Sequence, residues 1–187
     1  MFGQELLQAG AINYHGVESS HRMYKLAAQN LKDLSATLTL ASIESYDYST
    51  EAYDLVTSRL VLHYVKNIEM VFQEIYRSLK SNGKFVFSVQ HPLTTSSFIS
   101  KSPSEKRENW IVDDYFKEGE RQELWMDQLV AKQHRSVESY FTALTKAGFE
   151  ITALREGRPC REYFQEEAEY ERRKRIPLIL AFSCLKK

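Results

Sequence analysis

The sequence predicts an α/β fold: a mostly parallel sheet with helices on both faces and an insert over one edge. Three observations predict it. Short apolar strands alternate with helical stretches along most of the chain. Residues 53–57 (YDLVT) and 84–89 (KFVFSV) are near-continuous apolar runs followed by polar residues, as in strands buried within a parallel sheet. Residues 93–133 break the pattern, being rich in Ser, Lys, Glu and aromatics with weak apolar periodicity, as expected of a lid.

Taken in order, Leu6, Leu7 and Ala9 predict a short helix over residues 4–9 that stops at Gly10. Residues 11–17 predict a strand ending at Glu18, and Ser19 or Ser20 caps the helix whose stripe is Met23, Leu26, Ala27, Leu31 and Leu34. Residues 36–40 alternate Thr with apolar residues and predict a strand; residues 41–52 are a polar loop with room for one helical turn. After the strand at 53–57, Asn67 starts a long helix with an i, i+3, i+4, i+7 stripe of Ile68, Val71, Phe72, Ile75, Tyr76 and Leu79. Ser81-Asn82-Gly83 is expected to end it, with Gly83 as a left-handed cap. The strand at 84–89 then runs into Gln90-His91-Pro92. Within the insert, residues 110–116 predict a strand that turns at 117–121 toward 123–130. Ser136 caps a helix with the stripe Val137, Tyr140, Phe141, Leu144; residues 149–155 form a strand, 162–175 an exposed charged helix, and 177–185 the closing strand. The late strands have the freedom to pair antiparallel.

The totals bound the function. A chain of 187 residues suits one domain with a sizeable core, divided as 1–92 for cofactor binding, 93–133 as lid and 134–187 as the closing part. Lys plus Arg equals Asp plus Glu, 25 each, so no overall field favours nucleic acid or an acidic membrane surface. No apolar run approaches the roughly 20 residues that span a bilayer, and the start lacks a secretory pattern, which points to the cytoplasm. Cys160 and Cys184 lack metal spacing, and no metal is expected. Oligomeric state leaves no trace in the sequence.

Ligands of open α/β sheets sit at the carboxyl ends of the strands. Ser58, Arg59 and Leu60 are therefore the first candidates, and Glu18, ending the first visible strand, is either an acceptor for ribose hydroxyls or an acid favouring the following helix dipole. A nicotinamide-dependent oxidoreductase would need G-x-G-x-x-G at a strand-to-helix turn, and the chain has none.

YHGVESSHRM, ASIE, YDLVTSRLVLHYV and RSLKSNGKFVFSVQHP, followed by HRSVESYFTALTKAGF and ERRKRIPLIL, together resemble the class I S-adenosylmethionine-dependent methyltransferases. The match is closest to the small-molecule branch, where the fourth strand ends in "lhyv" and the fifth in "SveHP". The resemblance runs from about Gly3 to the carboxyl terminus. It implies a Rossmann-like fold, S-adenosyl-L-methionine as cofactor, a small-molecule methyl acceptor and no nucleic-acid partner. Gly3 then corresponds to the last glycine of the family's D-x-G-x-G-x-G loop. Glu18 is the ribose acid, Ser19 and Met23 border ribose and adenine, and Ser42, Ile43 and Glu44 occupy the adenine position, where the family's usual Asp is displaced or absent. Ser58, Arg59, Leu60 and His63 border the methionine and methyl end. His91 stands where a general base would act, or is a structural histidine held by Pro92 and the lid; Tyr115 and His134 are candidate acceptor contacts, and Arg135 an ion-pair partner. Gln90 replaces the branch's Glu. The family's first strand and first two loop glycines belong ahead of Gly3, so the expectation is that the protein starts upstream. The alternative reading is a catalytically inactive methyltransferase-like fragment or partner subunit.

Overall fold

The computed structural model describes residues 2–98, 109–125 and 128–187; the parts of the expected lid at 99–108 and 126–127 lie outside the described residues. The chain forms two compact units, Met1–Tyr48 and Ser49–Lys187.

The first unit is a helix followed by a β-α-β turn: α1 (Phe2–Gln8), β1 (Tyr14–Glu18), α2 (His21–Asn30) and β2 (Ala36–Leu40). β1 and β2 pair in parallel, from Tyr14 opposite Ala36 to Glu18 opposite Leu40. Ser20 is the cap of α2, accepting from the Met23 N–H at 3.4 Å. Gly3 lies in the first turn of α1, where an added Cβ would stand 3.0 Å from the Tyr14 ring, so the missing side chain lets the helix rest on β1.

The second unit holds a four-stranded sheet in the order β3 (Tyr53–Arg59), β4 (Leu79–Gln90), β8 (Ile179–Leu185), β7 (Glu150–Glu156). β3 and β4 are parallel; β8 runs antiparallel to both β4 and β7, as the late strands were free to do. α3 (Ile68–Ser78) and α5 (Val137–Lys146) pack on this sheet. Their apolar stripes bury Val71, Phe72, Ile75, Tyr140 and Leu144 against Phe85, Phe87, Phe149 and Phe182. Phe87 stacks on Phe182 at 5.2 Å, and Phe72 meets Phe85 edge-on at 5.8 Å. α4 (Pro92–Thr95) follows β4, and α6 (Glu167–Lys174) is the exposed charged helix, its acids and bases paired along its own length. No described helix is long and apolar enough to cross a membrane.

Three local expectations are corrected. α3 ends at Ser78 rather than at 81–83, because Leu79 is already extended (ψ 143°) and pairs with Tyr53. The left-handed residue is Asn82 (φ 62°), and Gly83 lies inside β4, where a Cβ would come within 2.8 Å of the Lys80 carbonyl. Residues 110–116 are not a strand. Asp113 accepts from the Asp114 N–H at 2.8 Å, and Asp114 takes φ 53°, which breaks an extended run. The hairpin instead pairs β5 (Gly119–Trp125) with β6 (Gln128–His134), so Gly119 (φ 123°) opens a strand where a turn was expected.

Candidate functional site

In the second unit the candidate residues lie where the parallel strands β3 and β4 end side by side. Ser58 is half-buried and Arg59 exposed. Leu60 adopts φ 54°, a left-handed conformation costly for a branched side chain, and donates its N–H to the Ser88 carbonyl at 2.9 Å. The chain then makes a single 3-10 turn, Leu62–Tyr64, which buries His63. Gln90 ends β4, and its backbone N–H donates to His63 Nδ1 at 3.3 Å. Burial first, and the nearby Lys132 ammonium second, push His63 down to about 4.

His91 opens α4 as its cap: Nδ1 accepts from the Leu93 N–H at 3.1 Å. Its Nε2 lies 3.0 Å from the Glu156 carboxylate on β7. A backbone N–H donates and a carboxylate accepts, so Nδ1 accepts, Nε2–H donates and both ring nitrogens are hydrogen-bonded. Desolvation lowers its proton affinity, and Glu156 partly opposes this.

The β5–β6 hairpin packs on α4 and on the 3-10 turn. His134, fully buried, sits between Thr95 Oγ1 (2.8 Å) and the Tyr115 carbonyl (2.9 Å), with the Tyr115 ring edge-on at 5.7 Å. Desolvation lowers its proton affinity as well. The Tyr115 hydroxyl accepts from the Val137 N–H at 3.2 Å, helping to seat the start of α5. Arg135 was expected in an ion pair; its guanidinium instead donates to the Val65 and Lys66 carbonyls at 2.7 and 2.8 Å. Burial raises the proton affinity of Glu118, but hydrogen bonds from Ser139 and Ser136 outweigh it and hold the acid below its ordinary range.

Two charged side chains that sequence pattern does not single out belong to the same region. Lys132 and Glu123 are buried in the hairpin and paired to each other, and Lys132 Nζ also donates to Gln90 Oε1 at 2.9 Å. One signal was available: Val130, Lys132 and His134 alternate along β6 and share a face.

In the first unit, Glu18 and Ser19 leave β1 at the same end of the ladder at which Ser42 and Ile43 leave β2. Glu18 Oε1 accepts from the Ser20 N–H at 2.8 Å. The Ile43 carbonyl accepts from the Tyr48 hydroxyl at 2.8 Å, which fixes the loop. Met23 lies near the start of α2 and is exposed. Gly3 is packed against the Tyr14 ring, whose far edge also lies against Gly16 in the middle of β1.

A family model described as a methyltransferase domain matches residues 2–87. A crystal structure of a proposed S-adenosylmethionine dependent methyltransferase from Listeria monocytogenes is 30% identical. It covers 98% of this chain, which covers 84% of it, with a TM-score of 0.85. The chain belongs to the S-adenosylmethionine-dependent methyltransferases. A methyltransferase of the same description from Mesorhizobium loti is 29% identical over 98% of this chain and 85% of its own, with a TM-score of 0.87. A curated relative from Haemophilus influenzae is 28% identical over 163 residues, 82% of this chain; the chain spans 64% of that protein's length, under two thirds. The fold of these methyltransferases is the α/β, Rossmann-like one expected from the sequence, and their cofactor is S-adenosylmethionine. The donor set fits such a group: Glu18 Oε2 has no partner among the described residues and is a ready acceptor for a diol.

Proposed function

We propose that the chain transfers a methyl group to a small-molecule acceptor in the cytoplasm. The observation that carries the reading is the left-handed Leu60 at the end of β3, followed at once by buried His63 and capped by the β5–β6 hairpin. Strain at a strand's carboxyl end, next to buried polar groups, is the kind of local cost that a binding site explains. The balanced charge supports a small acceptor over a polyanion.

When bound, S-adenosylmethionine supplies an electrophilic methyl group on a sulfonium. The work left to the protein is holding and aligning, which can lower a barrier by about 7–11 kcal/mol. In the first unit Glu18 would accept hydrogen bonds from the ribose hydroxyls, with Ser19 and Met23 beside it, Ser42 and Ile43 bordering the base and the Gly3 backbone meeting the amino-acid part. In the second unit Ser58, Arg59, Leu60 and His63 would border the methionine and methyl end. Tyr115 is the candidate contact for the acceptor, and His134, buried between Thr95 and the Tyr115 carbonyl, would act by holding Tyr115 in place. His91 is the candidate general base; as placed it also anchors α4 through Leu93 and Glu156, so taking a proton would require one of these hydrogen bonds to be released.

Isothermal titration of S-adenosylmethionine into the protein tests the reading. Binding is expected, and Glu18→Ala is expected to weaken it by about tenfold or more, the loss of a charge-assisted hydrogen bond to a diol. An absence of heat with the unaltered protein sinks the proposal. Binding without turnover against a metabolite pool, followed with methyl-labelled cofactor, favours the inactive-subunit alternative.

A further inference from the structure

The buried charges of the β5–β6 hairpin have no part in the assignments above. Lys132 is 1% exposed and Glu123 4%, on neighbouring strands of the hairpin. Burying both ends of an ion pair is costly, and hydrophobic replacements of similar volume often serve stability as well or better. Stability alone therefore does not account for the pair. Lys132 is shared between Glu123 and the Gln90 side chain, and its ammonium lies 5.7 Å from the Tyr64 ring centre. The backbone N–H of that same Gln90 meets His63. An N–H donor makes His63 Nδ1 an acceptor, so in the neutral ring the proton sits on Nε2.

We propose that Lys132 is a positioning residue for His63. Through Gln90 it holds the end of β4 against Nδ1, so that Nε2–H is presented as a hydrogen-bond donor at the carboxyl end of β3. The donor role rests on the methyltransferase reading. A neutral imidazole offers a hydrogen bond to a carboxylate or other oxygen of the ligand without adding a second positive charge near a sulfonium. The groups facing His63 are Lys132 on β6, Glu123 on β5 and Tyr64 beside it in the turn. The ammonium opposes protonation of the ring and the carboxylate favours it, with burial the larger influence.

Nitrogen-15 imidazole spectra of the full chain without ligand test the relay first. The expected signal is a single Nε2–H tautomer for His63 that does not titrate above about pH 5.5. A ring that is Nδ1–H, or that titrates like an ordinary histidine, overturns the proposal. In Lys132→Met the ring is expected to titrate at higher pH and to lose its single tautomer. A Lys132→Met protein that folds and leaves both unchanged also overturns it, because a purely structural lysine would behave so. Should that variant fail to fold, Lys132→Met with Glu123→Leu removes both charges, and the same loss of a single tautomer is expected. S-adenosylmethionine is then added to the unaltered protein. A shift of the Nε2–H signal supports the donor role, and heat of binding with that signal unmoved overturns it. No binding at all overturns the methyltransferase reading and the donor role with it, while the ligand-free spectrum judges the relay on its own.

Discussion

His63 ties the chemistry of the site to the stability of the fold. Its folded value of about 4 lies below the ordinary 6.5. As pH falls, the unfolded chain takes up this proton before the folded one does. The stability held by the neutral ring is therefore complete above the ordinary value and is lost as pH falls toward the folded one. Between about pH 7 and pH 5 that loss is roughly 2 kcal/mol. His91 and His134 are lowered by burial in the same direction and add to the slope. Urea midpoints at the two pH values should fall accordingly for the natural protein, and His63→Gln should flatten the difference by roughly the same 2 kcal/mol. An equal slope in the variant would show that His63 is not buried neutral. Gly148 makes a second residue-scale case. It ends α5 at φ 100°, and a Cβ there would stand 3.1 Å from the Tyr76 ring. Gly148→Ala combines backbone strain with crowding and should cost about 1–3 kcal/mol, measurable as a lower thermal midpoint.

At the scale of elements, the hairpin separates what patterning reveals from what it hides. α3 and α5 were legible because Asn67 and Ser136 are good caps and the stripes behind them bury Phe72 and Tyr140. β4 and β8 were legible as apolar runs. Gly119 reads as the hairpin's turn because a glycine signals backbone freedom, and in the fold that freedom serves the entry into β5. Lys132 is hidden in the sequence for a related reason. A lysine at a strand position reads as a solvated residue, and only the partner strand supplies the acid that allows it to be buried. The pair yields a clear expectation in a double-mutant cycle. Lys132→Met alone removes the buried cationic partner of Glu123 and should cost about 3–5 kcal/mol, while Lys132→Met with Glu123→Leu should recover most of that. If the double change costs as much as the sum of the two single changes, the residues are not coupled. His91 shows the limit of position as a guide: the order of the chain put it at the end of β4, but its partners come from Leu93, two residues on, and from Glu156 on a distant strand.

For the molecule as a whole, the two cysteines provide independent reporters of how the second unit holds together. Cys160 is exposed on the loop after β7, whereas Cys184 is buried in β8, the strand hydrogen-bonded on both sides, by β4 and β7. Burial pushes the Cys184 thiol up to about 12, so its reactive thiolate is scarce in the folded state and the sulfur is also out of reach. β8 cannot open without breaking two ladders and the Phe87–Phe182 stack, so exposure of Cys184 should require the unit Ser49–Lys187 to unfold as one. A thiol reagent should therefore modify one site per chain rapidly and the other at a rate that tracks global unfolding. The slow rate should rise with urea along the slope of the equilibrium unfolding curve, since the surface exposed is the same in both measurements. Cys160→Ser should remove the fast phase and leave the slow one. Fast labelling of Cys184 in native buffer, or a rate insensitive to urea, would mean that the sheet opens locally at β8, and the rigid floor on which the ends of β3 and β4 depend would be lost with it.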